Sequence, residues 1–135
     1  MSNGKMTYMM KDQGVRTELS YGELNIAGDE TYGFRPYQLL VSSVAACSSS
    51  VFRKILEKQR VQLADMTTTA EVERNPDEAN RIEKISLEYT VKGYDLDPEK
   101  LHKNMALARK NCSMVRSVEG SIEIEESLNI IQLSQ

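Results

Sequence analysis

From Pro36 to Phe52 the chain reads PYQLLVSSVAACSSSVF, a run without a single formal charge, and no other stretch limits the possible folds so strongly. Five of its residues are serines (Ser42, Ser43, Ser48, Ser49 and Ser50), and it falls short of the roughly 20 apolar residues that a membrane span needs. The run therefore predicts a helix buried in a protein core. Pro36 suits the first helical turn, where a missing N–H costs nothing. Leu40, Val44, Cys47, Val51 and Ile55 recur at steps of three and four and mark one apolar face, with Cys47 at its centre. Past Phe52 the residues Arg53, Lys54, Glu57, Lys58 and Arg60 make the far end of the helix wet.

A single domain over residues 1–135 is expected around this helix, and a chain of that length buries only about two-thirds of its unfolded surface as a monomer. Ahead of the helix, KMTYMM, VRTELSY and ELNIA read as short strands with turns at Gly14 and Tyr21-Gly22, and a loop follows from Gly28 to Gly33. After it, MTTTAEVER, a turn at Asn75-Pro76-Asp77 and RIEKISLEYTVKGYD read as a long antiparallel hairpin. Ile85, Leu87, Tyr89 and Val91 alternate there with Ser86, Glu88 and Thr90, so one face is buried. Asp97-Pro98-Glu99 is a strong helix start, and that helix is expected to reach about Lys110. CSMVRSV can open a short second helix before closing strands in GSIEIEE and NIIQL. The order gives an α+β fold with antiparallel sheets and a buried central helix. That helix is too apolar for one chain to cover, and a homodimer with helices sandwiched between sheets is expected.

Seventeen basic and 20 acidic residues leave a net charge of −3, with no basic block and few aromatic residues, which argues against a nucleic-acid partner. The N-terminal MSNGKMTYMMKDQG carries charge early and lacks an apolar stretch long enough for a signal peptide, so a cytoplasmic location without membrane attachment is expected. His102, the only histidine, falls on the exposed side of a charged helix, and one His with two Cys does not close a tetrahedral metal site. No metal or other cofactor is expected. The carboxylates of SIEIEE read as a solvated strand face, and neither a Gly-rich phosphate loop nor a GxSxG elbow is present.

The remaining chemistry lies in Cys47 and Cys112. Two thiols in a reducing compartment are rarely a permanent staple, so a pair between them would be transient and catalytic; the alternative is two inert core thiols. On an apolar helix face desolvation raises the thiol pKa of Cys47, and a reactive role calls for a cation, either Arg16 from the early strands or Arg35 at the helix entrance. Cys112, near a helix N-terminus with Lys110 and Arg116 beside it in sequence, is expected to have a lowered pKa.

The stretch GFRPYQLLVSSVAAC resembles the OsmC/Ohr family's pattern of Gly, a short gap, Pro, then an apolar helix ending in Cys, and HKNMALARKNCSMVRSVEGSIEIE resembles its second helix, Cys and final strand. The resemblance implies an intertwined homodimer with two active sites at its interface and thiol-dependent reduction of organic hydroperoxides. It implies that Cys47 attacks the peroxide and becomes a sulfenic acid, that Cys112 condenses with it to a disulfide, and that an external dithiol restores both. Tyr37 stands directly after Pro36, where peroxidase members have Glu, and with Gln38 and Val44 it is expected to line the substrate pocket; Arg16 or Arg35 is expected over the thiolate. A non-catalytic dimer binding a small apolar ligand is the alternative, and a purely structural or interaction role a third.

Overall fold

The computed structural model describes residues 4–134. They form two compact units, one ending at Leu40 and the other beginning at Val41. The first unit holds a three-stranded antiparallel sheet in the order β1 (Met9–Met10), β2 (Val15–Glu18) and β3 (Glu23–Ile26). These strands are shorter than the sequence predicts, although the turns fall where expected. Gly14 turns the chain between β1 and β2 at φ 75°, and a Cβ there would run into the Ile26 carbonyl. The following loop folds back on β3, with the Phe34 N–H donating to the Asn25 carbonyl at 2.8 Å. That closure delivers the chain to Pro36, where α1 (Pro36–Lys58) begins as the sequence predicts.

In the second unit the rest of α1 is followed by β4 (Gln62–Asn75), a 3-10 turn at Pro76–Glu78, β5 (Arg81–Tyr94), α2 (Pro98–Asn111), α3 (Ser113–Val118) and β6 (Glu123–Gln132). The expected hairpin is β4 and β5, paired antiparallel from Gln62↔Tyr94 to Asn75↔Arg81. Asp97 caps α2 through its Oδ1, which accepts from the Glu99 and Lys100 N–H groups at 3.1 and 3.4 Å.

One expectation of the sheet fails. β6 pairs with β5 in parallel, as in Leu87↔Glu126 and Tyr89↔Leu128, so this sheet is mixed rather than wholly antiparallel. The reason is the connection: α2 and α3 lie between the two strands and return the chain to the end where β5 started, a crossover that only a parallel pair needs.

Side chains alternate across the sheet, and its inner face carries Ile85, Leu87, Tyr89 and Val91 of β5, all buried, flanked by Val72, Ala70 and Met66 of β4 and by Ile124, Leu128 and Ile130 of β6. Phe52 of α1 meets the Tyr89 ring edge to face at a centroid distance of 5.2 Å. The helix face turned to the core is Val41, Val44, Ser48, Phe52 and Leu56. This corrects the predicted stripe: Leu40 is exposed, and Cys47, Val51 and Ile55 lie at the margin, only partly buried. With so many small residues in the run, apolar spacing alone misplaces the stripe by one position, and Phe52, the largest fully buried side chain of the helix, marks the side that faces the core. At 23 residues α1 is also long and apolar enough to match a membrane span by composition, contrary to the shortfall expected from sequence. Its buried face packs instead against the sheet of its own unit.

Candidate active site

The two cysteines meet where α1 passes the junction of α2 and α3. Cys112 is the residue between those helices, with extended backbone at φ −87°, ψ 111°, and it caps α3: its Sγ accepts from the Val115 N–H at 3.5 Å. Cys47 reaches the same junction from α1, and its Sγ lies 3.7 Å from the Ser113 Oγ. The backbone N–H of Met114, the Ser113 hydroxyl, the Cys112 thiol and the Ser113 N–H all donate toward the Cys47 sulfur.

Those donors decide the electrostatics. The Met114 N–H is the largest influence on Cys47, and with the Ser113 and Cys112 donors it outweighs partial burial and holds the thiol below its ordinary value of 9.0. For Cys112 the balance is opposite. Its side chain is fully buried, and burial, reinforced by the hydrogen bond and charge of Cys47, pushes its thiol up despite the Val115 N–H. Both sequence expectations are thereby reversed. The helix start acts on Cys47, which lies over it, rather than on Cys112, whose sulfur is folded back to cap it and sealed in the core.

A buried polar network adjoins the pair. Ser48 Oγ lies 2.5 Å from Tyr89 Oη, and the Glu126 Oε2 accepts from Tyr89 at 2.6 Å and from Ser48 at 3.1 Å. Ser48 and Tyr89 are fully buried. Burial first, then the hydrogen bond to Glu126, raises the phenol of Tyr89, while the bond to Ser48 lowers it; the charges of Glu126 and Cys112 raise it further. Sequence reasoning missed Glu126 by treating SIEIEE as one solvated face. A parity signal was present, because Glu126 falls in step with Ile124, Leu128 and Ile130, the inward set of β6.

The other predicted site residues are distributed as follows. In the first unit Arg16 pairs with Glu23 across β2 and β3 at 3.4 Å, and the Arg35 guanidinium stacks over the Tyr37 ring at 4.9 Å. Gln38 is exposed. Val44 is closed into the core of the second unit. Among the described residues that unit also bears hollows that neither cysteine lines. One of about 210 Å³ lies among Thr69, Glu71, Ser86 and Glu88, a second of about 310 Å³ among Ser49, Arg53 and Leu63, and a third of about 490 Å³ among Lys103, Leu107 and Arg116.

An α+β protein with a polarised pair of thiols, one donor-rich and one buried, is the class that these features define. Residues 27–127 match the family described as OsmC-like protein, and the chain belongs to that family. An organic hydroperoxide resistance protein-like sequence from Staphylococcus aureus (strain MRSA252) is 26% identical over 98 residues, which cover 71% of this chain and 69% of the relative. A hypothetical protein from Aquifex aeolicus VF5 has a similar structure, with a TM-score of 0.86 and 20% identity over 99% of this chain and 100% of that one. An organic hydroperoxide resistance protein OsmC from Legionella pneumophila aligns with a TM-score of 0.69 and 18% identity over 96% of this chain and 99% of that one.

Proposed function

We propose that this chain is a thiol peroxidase that reduces organic hydroperoxides through Cys47 and Cys112. The observation that carries the reading is the polarity of the pair: α3 donors favour the thiolate of Cys47, while burial keeps the proton on the neighbouring Cys112. The thiolate, not the thiol, is the nucleophile. The Cys47 thiolate attacks the terminal peroxide oxygen; the O–O bond breaks, an S–O bond forms, and the alkoxide leaves and takes a proton to become the alcohol. Cys112 then attacks the sulfenic sulfur. The S–O and S–H bonds break, the S–S bond forms, and hydroxide departs with the thiol proton as water. An external dithiol, oxidised to its own disulfide, restores both cysteines. The half-buried Val51, one turn along α1 from Cys47, favours an organic rather than a small polar peroxide, and the hydroperoxide-resistance relatives support the same substrate class.

The experiment is a free-thiol count on the reduced protein before and after one equivalent of cumene hydroperoxide, followed by mass spectrometry. Loss of both thiols within seconds, with a Cys47–Cys112 bond in the product, is the expected result. Two thiols still free after minutes would overturn it and favour a ligand-binding role for the fold.

A further inference from the structure

The hollow of about 490 Å³ beside α2 and α3 is unlike the rest of a chain whose net charge is −3. Lys103, Arg109, Lys110 and Arg116 line it against a single carboxylate, Glu119. Along α2 the lining residues Lys103, Ala106, Leu107 and Lys110 recur at steps of three and four, so two cations flank two apolar residues on one side of the helix. Leu107 is 44% exposed, the one large apolar side chain so exposed among the described residues from Val41 onward. Neither Lys103 nor Lys110 has a hydrogen-bond or ion-pair partner among the described residues. On the sheet, by contrast, Lys84 is shared by Glu73, Glu123 and Glu125, and Arg81 is shared by Glu78 and Glu83. Arg109 is held in place through its Nη1, which donates to the Ile124 carbonyl at 2.7 Å, a bond to a neutral group that leaves the guanidinium charge uncompensated. Arg116 pairs with Glu119 at 3.3 Å within one exposed turn, a contact weak enough for an incoming anion to displace.

We propose that this hollow binds a small anion bearing an apolar chain, its charged head held by Lys103, Arg109 and Lys110 and its apolar part laid against Leu107 and Ala106. The volume lies within the roughly 300–1,000 Å³ of small-molecule sites, which pair apolar lining with a few convergent polar groups. Other occupants fit less well. Binding to a membrane surface scales with the apolar area inserted, and a single leucine in a concave wall offers little of it. A protein partner is anchored by clustered large side chains, and a nucleic acid strand by aromatic rings, neither of which lines the hollow. A second copy meeting this one through the same patch would set its four cations against four more. A carboxylate with an alkyl tail uses both the unpaired charges and the exposed leucine. Neither cysteine takes part, so the assignment stands apart from the peroxidase reading.

The test is an NMR titration of the reduced, full-length 15N-labelled protein with sodium octanoate. Parallel titrations use acetate, which has the charge without the chain, and 1-octanol, which has the chain without the charge. Octanoate is expected to shift the amides of residues 103–119 saturably and to bind about tenfold or more tightly than either control, less so as salt is raised. The double variant Lys103→Gln/Lys110→Gln and the single variant Leu107→Ser are each expected to weaken octanoate about fivefold or more, whereas Lys54→Gln/Lys58→Gln on α1 is expected to leave it unchanged. All five positions are exposed, so each variant keeps the fold. Shifts that do not saturate or that spread over both units would overturn the proposal, as would acetate or octanol binding as tightly as octanoate, or an equal loss in the α1 variant. A Lys103→Gln/Lys110→Gln protein that bound octanoate undiminished but changed its sedimentation coefficient would overturn it too, and would assign this face to a second copy. No peroxide is present, so a chain that failed to turn over peroxide would still answer.

Discussion

The Cys47 sulfur and the Ser113 hydroxyl oxygen stand 3.7 Å apart across the junction of α1 with α3, so the residue after one cysteine serves the other. A hydroxyl donor to a thiolate lowers its energy where water is partly excluded. Its removal sets the first prediction.

Ser113→Ala is expected to raise the ionisation midpoint of Cys47 and to slow its alkylation by iodoacetamide about three- to tenfold at pH 7, the effect of one hydrogen bond to a charged group. The parent midpoint should fall below the ordinary 9.0. An unchanged pH–rate profile would mean that the backbone N–H groups of α3 suffice alone.

Cys112→Ser is expected to keep the fold, since serine is a better helix cap than cysteine, while stopping the reaction after one step. One thiol per chain should be consumed by peroxide and the resulting sulfenic acid trapped by dimedone at Cys47. Cys47→Ser should consume none and give no adduct.

Stability should fall as the solution is made alkaline. Cys112 and Tyr89 both have folded-state values above their ordinary 9.0 and 10.0, so their protons favour the folded chain fully below those values, and the contribution is lost as pH rises toward the folded values. Cys47 has the opposite sign, its folded value being lowered, and gains as pH rises. Urea midpoints between pH 8 and 11 should therefore decline, less steeply in Cys112→Ser and more steeply in Cys47→Ser.

Phe52→Ala is expected to cost about 3–5 kcal/mol of unfolding free energy in urea, because the ring is fully buried against Tyr89 at the centre of the core. Asp97→Ala should cost only about 1 kcal/mol, the value of one helix cap. A loss at Asp97 equal to that at Phe52 would mean that α2 carries more of the core than its packing indicates.

The architecture was legible wherever local chemistry and burial agree. The alternation Ile85, Leu87, Tyr89, Val91 defined β5, and Asp97-Pro98-Glu99 opened α2, because pleating and capping act over a few residues. What escaped depends on partners remote in sequence. The direction of β6 is set by the helical crossover and not by its own residues. Glu126 reads as one acid among several until the parity of its strand is followed. Cys47 falls on the predicted helix and Cys112 directly after the second one, yet Cys47 lies at the margin of the core face rather than at its centre, and the electrostatics of the pair are the inverse of those expected, because a helix start acts on whatever lies above it and Cys112 turns its sulfur inward to Val115.

The parallel pairing of β5 with β6 also has a temporal side. β4 and β5 are joined by a tight turn and can zip together from that turn, whereas β6 has to wait until α2 and α3 have formed and swung back across the sheet. The donors to Cys47 and the carboxylate behind Tyr89 both belong to this late half of the chain. Cys47 is therefore synthesised 65 or more residues ahead of Cys112, Ser113 and Met114, and the lowered ionisation of its thiol is a property that it acquires only from groups added later and brought back to it by the crossover.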